Sequence, residues 1–241
     1  IIIPEEGHTW GVFDYSQQEP RLVVHYAALQ NLYGVDEVLE AYKQGDADFH
    51  TIVADMAEIP REQAKTINLG LFYGMGKNKL QAELGVSKDK ADDLFKQYHN
   101  KVPFVKRLMD NVMNRGQERG QIRTLLGRLC RFHLWEPTQF GIHKPLPHDA
   151  ALQEHGPGIK RAYTYKALNR LIQGSAADMT KKAMIELYKE GITPHIQVHD
   201  ELDISVSDNA NKIKEIMESA VTLEVPNKVD YESGPNWGNI K

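Results

Sequence analysis

The sequence predicts an α+β protein: a mostly antiparallel sheet with packed helices, carrying an inserted, largely α-helical subdomain. Three observations lead there. Strand-like apolar runs lie mainly toward the two ends, at 10–16 and 195–206, each followed by a helical pattern. The stretch between them reads almost wholly as helix, apart from one short hairpin. Charge divides in the same way. Residues 1–60 carry 2 Lys+Arg against 11 Asp+Glu, residues 61–131 carry 15 against 7, and residues 132–241 carry 12 against 15. A basic block between two acidic ones suits a polyanion site beside a metal site, whereas the net charge of −4 alone argues against nucleic acid.

With 241 residues, 41% of them hydrophobic and 26% charged, the chain has the profile of a soluble globular protein with one large core or two modest lobes. Mean hydropathy is −0.50 and no apolar run approaches the ~20 residues of a membrane span, so a cytoplasmic setting without membrane contact is expected. Ile1-Ile2-Ile3-Pro4 gives no signal-peptide pattern and no initiator Met, so the chain is expected to begin inside a longer one. The single cysteine, Cys130, excludes an internal disulfide and any multi-cysteine zinc site.

In chain order, Trp10–Ser16 reads as a strand running into a helix over about 19–31, with Pro20 in its first turn and an apolar stripe of Leu22, Val23, Tyr26 and Ala27. Helices follow at roughly 35–43, 48–57 and 60–73. Ser87 is a suitable N-cap for a helix to about Asn100, and Pro103 opens another to about Arg115. Gln121–Leu126 and Leu129–Leu134 read as a hairpin turning at Gly127-Arg128, and the Pro-, His- and Gly-rich 135–158 reads as loop. A helical stretch over 159–190, interrupted near Gly174, leads to a strand pair at 195–206, a final helix and a short closing strand.

Three segments are suited to chemistry. Asp14-Tyr15-Ser16-Gln17-Gln18-Glu19 ends the first strand, so Asp14 leaves the sheet close to the core, where a carboxylate needs a partner. By itself this segment is equally suited to capping or a structural salt bridge. In 196–206, the shared parity of Ile196, Val198, Leu202, Ile204 and Val206 predicts pairing of Val198 with Leu202 and a three-residue tip, His199-Asp200-Glu201. Were Asp14 and Asp200 within ~4 Å, they would repel by about 4 kcal/mol at an effective dielectric of 20, and only a cation makes that useful. Oxygen-ligand sites around shared carboxylates suit Mg²⁺ and in-line phosphoryl chemistry.

Arg61, Lys65, Leu69 and Tyr73, four residues apart, share one helix face. Arg61 and Lys65 repel each other, and the helix macrodipole disfavours cations near its N-terminus. A polyphosphate ligand would reverse both penalties, although two solvated cations tolerated at small cost remain the alternative. Gly74-Met75-Gly76-Lys77 lacks the spacing and Ser/Thr of a P-loop, and the loop histidines His143, His148 and His155 read as solvated.

Together these segments resemble the family A DNA polymerases, the DNA polymerase I type, and in particular phage members. Asp14-Tyr15-Ser16-Gln17-Gln18-Glu19-Pro20-Arg21 resembles the family's first motif, Arg61…Lys65…Asn68…Tyr73-Gly74 its second, and His199-Asp200-Glu201 its third. Asp48-Phe49-His50, Thr124-Leu125-Leu126-Gly127-Arg128, Asn169…Gln173-Gly174-Ser175-Ala176-Ala177-Asp178 and Gly234-Pro235-Asn236-Trp237 are similar to spacers of the family, so the likeness covers essentially the whole chain.

The resemblance implies DNA-templated addition of deoxynucleotides to a primer 3′-hydroxyl by two-metal-ion nucleotidyl transfer. Residues 1–32 and 159–241 would be palm and 33–158 fingers. Asp14 and Asp200, with the Tyr15 carbonyl, would hold two Mg²⁺ ions with Glu201 close by. Gln17, Glu19, His50, Arg61, Lys65, Leu69 and Tyr73 would line the nucleotide site, with Lys65 a proton donor to pyrophosphate and Glu19 and Tyr73 the floor against a 2′-hydroxyl. Arg128, Asn169, Gln173, Gln197 and His199, together with Gln17, would touch primer and template. The implied partners are primer-template DNA, deoxynucleoside triphosphates, and an N-terminal polymerase portion or processivity factor, in a bacterial or phage-infected cell.

Two positions depart from the family pattern. Leu69 stands where an aromatic residue usually faces the sugar, and Leu129 where an Arg often follows Gly127-Arg128. The likeness also starts just upstream of the first motif, so thumb, first palm segment and any exonuclease would lie before Ile1. The alternative from another class is a non-catalytic nucleic-acid-binding fragment that needs those parts; a two-metal nuclease would not need the Arg61/Lys65/Tyr73 stripe.

Overall fold

The computed structural model describes residues 2–45, 47–72, 75, 77–139, 141 and 143–240. In chain order the elements are β1 (Thr9–Tyr15), α1 (Gln18–Leu29), α2 (Asp36–Gln44), α3 (Phe49–Ala57), α4 (Arg61–Phe72), α5 (Lys77–Leu84), α6 (Lys88–Lys101) and α7 (Pro103–Arg119). Then come β2 (Gln121–Arg123), β3 (Leu129–Arg131), β4 (Leu134–Pro137), β5 (Leu146–Pro147), α8 (His148–His155), β6 (Ile159–Arg161) and α9 (Ala167–Lys189). The chain closes with β7 (Ile196–Val198), β8 (Glu201–Val206), α10 (Ala210–Ser219) and β9 (Val229–Gly234). The mixed class is as expected, with antiparallel strand pairing throughout.

Two compact units divide the chain: residues 1–30, 36–49 and 175–241 form a sheet unit, and residues 31–35 and 50–174 a helical unit. The sheet unit is built on a four-stranded sheet of order β7-β8-β1-β9. Register sets its faces. Phe13 lies opposite Leu202 and Tyr231, and the Phe13 and Tyr231 rings stack at 4.7 Å. Leu22, Val23, Met179, Leu187, Ile213 and Met217 are buried in the same unit and supply its apolar core. Tyr15 donates its hydroxyl to the Met217 carbonyl at 2.6 Å, tying β1 to α10.

The helical unit owes its boundaries to local signals. Ser87 caps α6 by accepting from the Lys90 N–H at 3.3 Å, as its position predicts. Pro103 starts α7, and Gly120 ends it at φ +67°, four residues beyond the expected stop. The β2–β3 hairpin forms around Gly127, but its strands are short and Leu134 belongs to a different sheet, of order β5-β4-β6.

Four expectations are corrected. Residues 135–158 are not loop: they hold β4, β5 and α8, because Pro147 ends an extended run while Ala150-Ala151-Leu152 favours helix and buries Ala151. Helix α5, for which no expectation stood, follows the 74–76 stretch, with Leu80 as its buried residue. Residues 159–166 are a strand and a short 3₁₀ turn, whereas α9 passes through Gly174 without a break. A Cβ at Gly174 would lie 2.7 Å from Thr124 Cγ2, so this glycine serves close packing. Finally, β7 pairs Val198 with Glu201, leaving a two-residue turn of His199 and Asp200. His199 takes a left-handed φ of +53°, which closes the tighter turn. Ile196 and Val198 then share a face with Asp203 and Glu201, which an edge strand with half-buried side chains tolerates.

Candidate active site

In the sheet unit, one end of the sheet gathers carboxylates. Asp14, at the end of β1, lies opposite Glu201 of β8 on one side and Asp230 of β9 on the other. The β7–β8 turn brings in Asp200, whose backbone carbonyl accepts from the Tyr15 N–H at 3.4 Å. The Asp14 and Asp200 carboxyls lie close enough to influence each other's protonation. Burial of its flanks and then the charges of Asp200, Glu201 and Asp230 push the Asp14 carboxyl from 3.8 to about 7. Its tip still meets solvent. Asp200 is also raised, by burial first, while its own backbone hydrogen bond, His199 and Asp14 oppose the rise. Among the described residues no Lys or Arg pairs with Asp14 or Asp200.

The turn after β1 is built around Gln17, which caps α1 in a left-handed conformation, φ 53° and ψ 46°. Its Nε2 donates to the Ala47 carbonyl at 2.9 Å, and its Oε1 accepts from the Tyr42 hydroxyl at 3.1 Å and the Phe49 N–H at 2.8 Å. Most of the Gln17 amide is therefore committed to its own chain. Arg21, 3% exposed, donates to the Ser16 and Pro226 carbonyls and lies 4.5 Å over the Tyr42 ring. This buried guanidinium rigidifies the loop beneath Asp14. Glu19 sits half-buried in the first turn of α1.

In the helical unit, Arg61 and Lys65 are exposed on α4 one turn apart, and Leu69 is half-buried one turn on. Arg61 donates to Thr51 Oγ1 at 3.2 Å and pairs with Glu62 at 3.2 Å. Lys65 makes no hydrogen bond or ion pair among the described residues. Tyr73 lies outside the described residues. His50, in the first turn of α3, accepts at Nδ1 from Asn68 Nδ2 at 3.1 Å. Asn169 is half-buried and Gln173 exposed near the start of α9, and Arg128 donates to the Gly174 carbonyl at 2.6 Å. In the sheet unit, exposed Gln197 donates to the His199 carbonyl at 2.7 Å.

The model of DNA polymerase family A matches residues 1–239. The chain belongs to DNA polymerase family A. It is 36% identical to a DNA-directed DNA polymerase of Pseudomonas phage M6 over 283 residues, an alignment covering 99% of this chain and 40% of that protein. It is 34% identical to DNA polymerase I of Geobacillus stearothermophilus over 262 residues, covering 100% of this chain and 27% of that one. Among solved structures, the polymerase domain of M. smegmatis Pol1, in complex with DNA primer-template and dNTP, superposes with a TM-score of 0.75 at 27% identity, covering 99% of this chain and 41% of that one. The chain thus spans less than half the length of these relatives.

For a family A polymerase chain, the carboxylate end of the sheet fits Mg²⁺. Among the described residues no three His, Cys, Asp or Glu side chains form a ready-made metal cage. Mg²⁺ needs none: it is commonly held by one or two carboxylates, with waters and substrate phosphates completing the shell. Crowding that lifts Asp14 to about 7, with no Lys or Arg among the described residues to relieve it, is what a dication would remove. No helix among the described residues is long and apolar enough to cross a membrane. Asp230 was not legible as a member of the cluster, because its place depends on β9 pairing with β1, more than 200 residues away, which a single sequence does not encode locally.

Proposed function

We propose that this polymerase chain carries the nucleotidyl-transfer centre for DNA-templated extension of a primer 3′-hydroxyl. The observation that carries the reading is the Asp14–Asp200 pair: two carboxyls crowded together with further acids beside them and, among the described residues, no Lys or Arg partner. Asp14, Asp200 and the Tyr15 carbonyl would hold two Mg²⁺ ions, which supply Lewis-acid charge for in-line phosphoryl transfer. Glu201 adds to the field that draws the cations in.

On this reading residues 1–32 and 159–241 are palm and 33–158 fingers, although 36–49 fall in the sheet unit and 159–174 in the helical unit. The primer 3′-hydroxyl gives its proton to water as its oxygen bonds to the α-phosphorus of the incoming nucleotide, the bond to the bridging oxygen breaks, and pyrophosphate leaves. Arg61, Lys65 and His50 bind the triphosphate, and Lys65 gives pyrophosphate its proton. Cations one turn apart near a helix N-terminus cost little once phosphate lies on them. Glu19 and Tyr73 bear on the sugar and exclude a 2′-hydroxyl, while Leu69 packs there without an aromatic face. Arg128, Asn169, Gln173, Gln197 and His199 contact primer and template, while Gln17 holds the turn after β1. Catalysis is then chiefly positioning and charge neutralisation.

Primer extension with deoxynucleotides and Mg²⁺ tests this. Extension is expected from this chain, or from one joined to the upstream portion of a polymerase, and is lost in Asp14→Ala and Asp200→Ala. No extension from either form would overturn the reading. Binding without turnover would leave a nucleic-acid-binding module, and degradation without deoxynucleotides would indicate a nuclease.

A further inference from the structure

Three helices of the helical unit meet at one buried amide. Asn68 of α4 and Tyr98 of α6 are both fully buried. The Tyr98 hydroxyl donates to Asn68 Oδ1, and Asn68 Nδ2 faces Nδ1 of His50, on α3, at 3.1 Å. The direction of this chain of bonds follows from burial. The Tyr98 hydroxyl has no other hydrogen-bond partner among the described residues, and desolvation pushes its phenol well above the usual range, so it keeps its proton. A buried O–H left without an acceptor is costly, so Tyr98 must donate to Asn68. That fixes the Asn68 oxygen toward Tyr98 and its NH₂ toward His50. An NH₂ group only donates, so His50 Nδ1 must be the bare, accepting nitrogen.

We propose that Tyr98 and Asn68 are positioning residues that hold His50 as the neutral tautomer protonated on Nε2, so that it offers the incoming triphosphate an N–H donor rather than a lone pair. The offer to a triphosphate rests on the proposed role of His50; the tautomer does not. A neutral donor also divides the work on the phosphates. Arg61 and Lys65 supply charge, whereas His50 supplies direction, because its ring is braced from behind through two helices. Tyr98 touches no substrate and acts only through Asn68.

Long-range ¹H–¹⁵N correlation spectra of the chain with ¹⁵N-labelled histidine read the tautomer directly, with His50→Gln assigning the signal. The wild-type chain should show a protonated Nε2 and a bare Nδ1. Tyr98→Phe should admit a mixture, since the Asn68 amide is then free to turn over. Asn68→Asp should invert the pattern, because a carboxylate accepts where the amide donated. A wild-type ring protonated on Nδ1 overturns the proposal, as does a Tyr98→Phe spectrum identical to wild type. Titration of Mg²⁺–dNTP onto the primer-template complex supplies the second readout. Tyr98→Phe should weaken nucleotide binding about three- to tenfold, the scale of one hydrogen bond, with its thermal midpoint measured alongside to separate a loss of fold. The expected spectra with unchanged nucleotide affinity would remove His50 from the triphosphate site and leave the tautomer assignment standing.

Discussion

The carboxylate end of the sheet unit and the α4 face of the helical unit are opposite solutions to one problem. Both hold charge that does not stabilise the fold. In the sheet unit the charges are crowded and partly desolvated, so the protein partly neutralises them: the Asp14 carboxyl is pushed up to about 7 and that of Asp200 is raised too. On α4 the charges are exposed, and Lys65 stays in water without a partner among the described residues. Crowded acids store cost that a bound cation releases, whereas solvated bases store almost none and wait for a ligand to desolvate them. Large pKa shifts therefore mark one half of a binding chemistry and miss the other.

Removing the acids should do most. Asp14→Ala and Asp200→Ala are each expected to lower primer extension about 10³-fold or more, as loss of a principal electrostatic element does. Retention of extension within tenfold would end the comparison. The acid side also makes a pH prediction. Asp14 binds its proton up to about pH 7 when folded and only to about 3.8 when unfolded. Between those values the folded chain holds more protons, so stability is fullest at the acid end and falls as pH rises through 7. Without divalent ions, the thermal midpoint should thus carry a downward component from about pH 5 to pH 8. Mg²⁺ should offset it at pH 8 but hardly at pH 5, and Asp14→Asn should flatten both responses. Water at the carboxylate tip screens the effect, so its sign is the test.

On the basic side, the expected effects are smaller and shared between folding and binding. Gly70 lies on the buried side of α4, where a Cβ would stand 2.6 and 2.8 Å from the two Leu80 methyl carbons. Gly→Ala in a helix interior ordinarily stabilises, but here overpacking should win and cost about 1–3 kcal/mol in denaturant unfolding. A stabilised Gly70→Ala would mean that α5 yields easily. Smallest is Lys65→Ala, expected to raise helix stability by a few tenths of a kcal/mol while weakening nucleotide binding. A loss of both would show that Lys65 supports the fold, contrary to its solvated setting.

Much of this was legible where the signal is local. β1, α1, α6 with its Ser87 cap and the Arg61/Lys65 spacing follow from alternation, capping and four-residue periodicity. What failed depended on contacts distant in sequence. Gly174 reads as a helix break until Thr124 is seen to occupy the space its missing side chain leaves. The β7–β8 turn reads as three residues because the parity of Ile196 and Val198 suggests a common apolar face, but an edge strand need not obey it. Asp230 and Tyr98 carry no local mark at all, since each acquires its place through a partner on another element.

The position of β1 has a consequence for how the chain comes to be folded. Its central strand, residues 9–15, is flanked on both sides by strands from near the other end of the chain, residues 201–206 and 229–234. Neither partner exists until residues 201–206 and 229–234 have been synthesised. Residues 50–174, by contrast, are nearly all the helical unit needs, and its helices α3 to α7 follow one another directly along the chain. Local helical contacts form quickly, and pairings that close loops of some 200 residues form last. During synthesis the strand with Asp14 therefore precedes the helical unit yet acquires its hydrogen-bonding neighbours after that unit is complete, so α4 is in place before Asp14 and Asp200 meet.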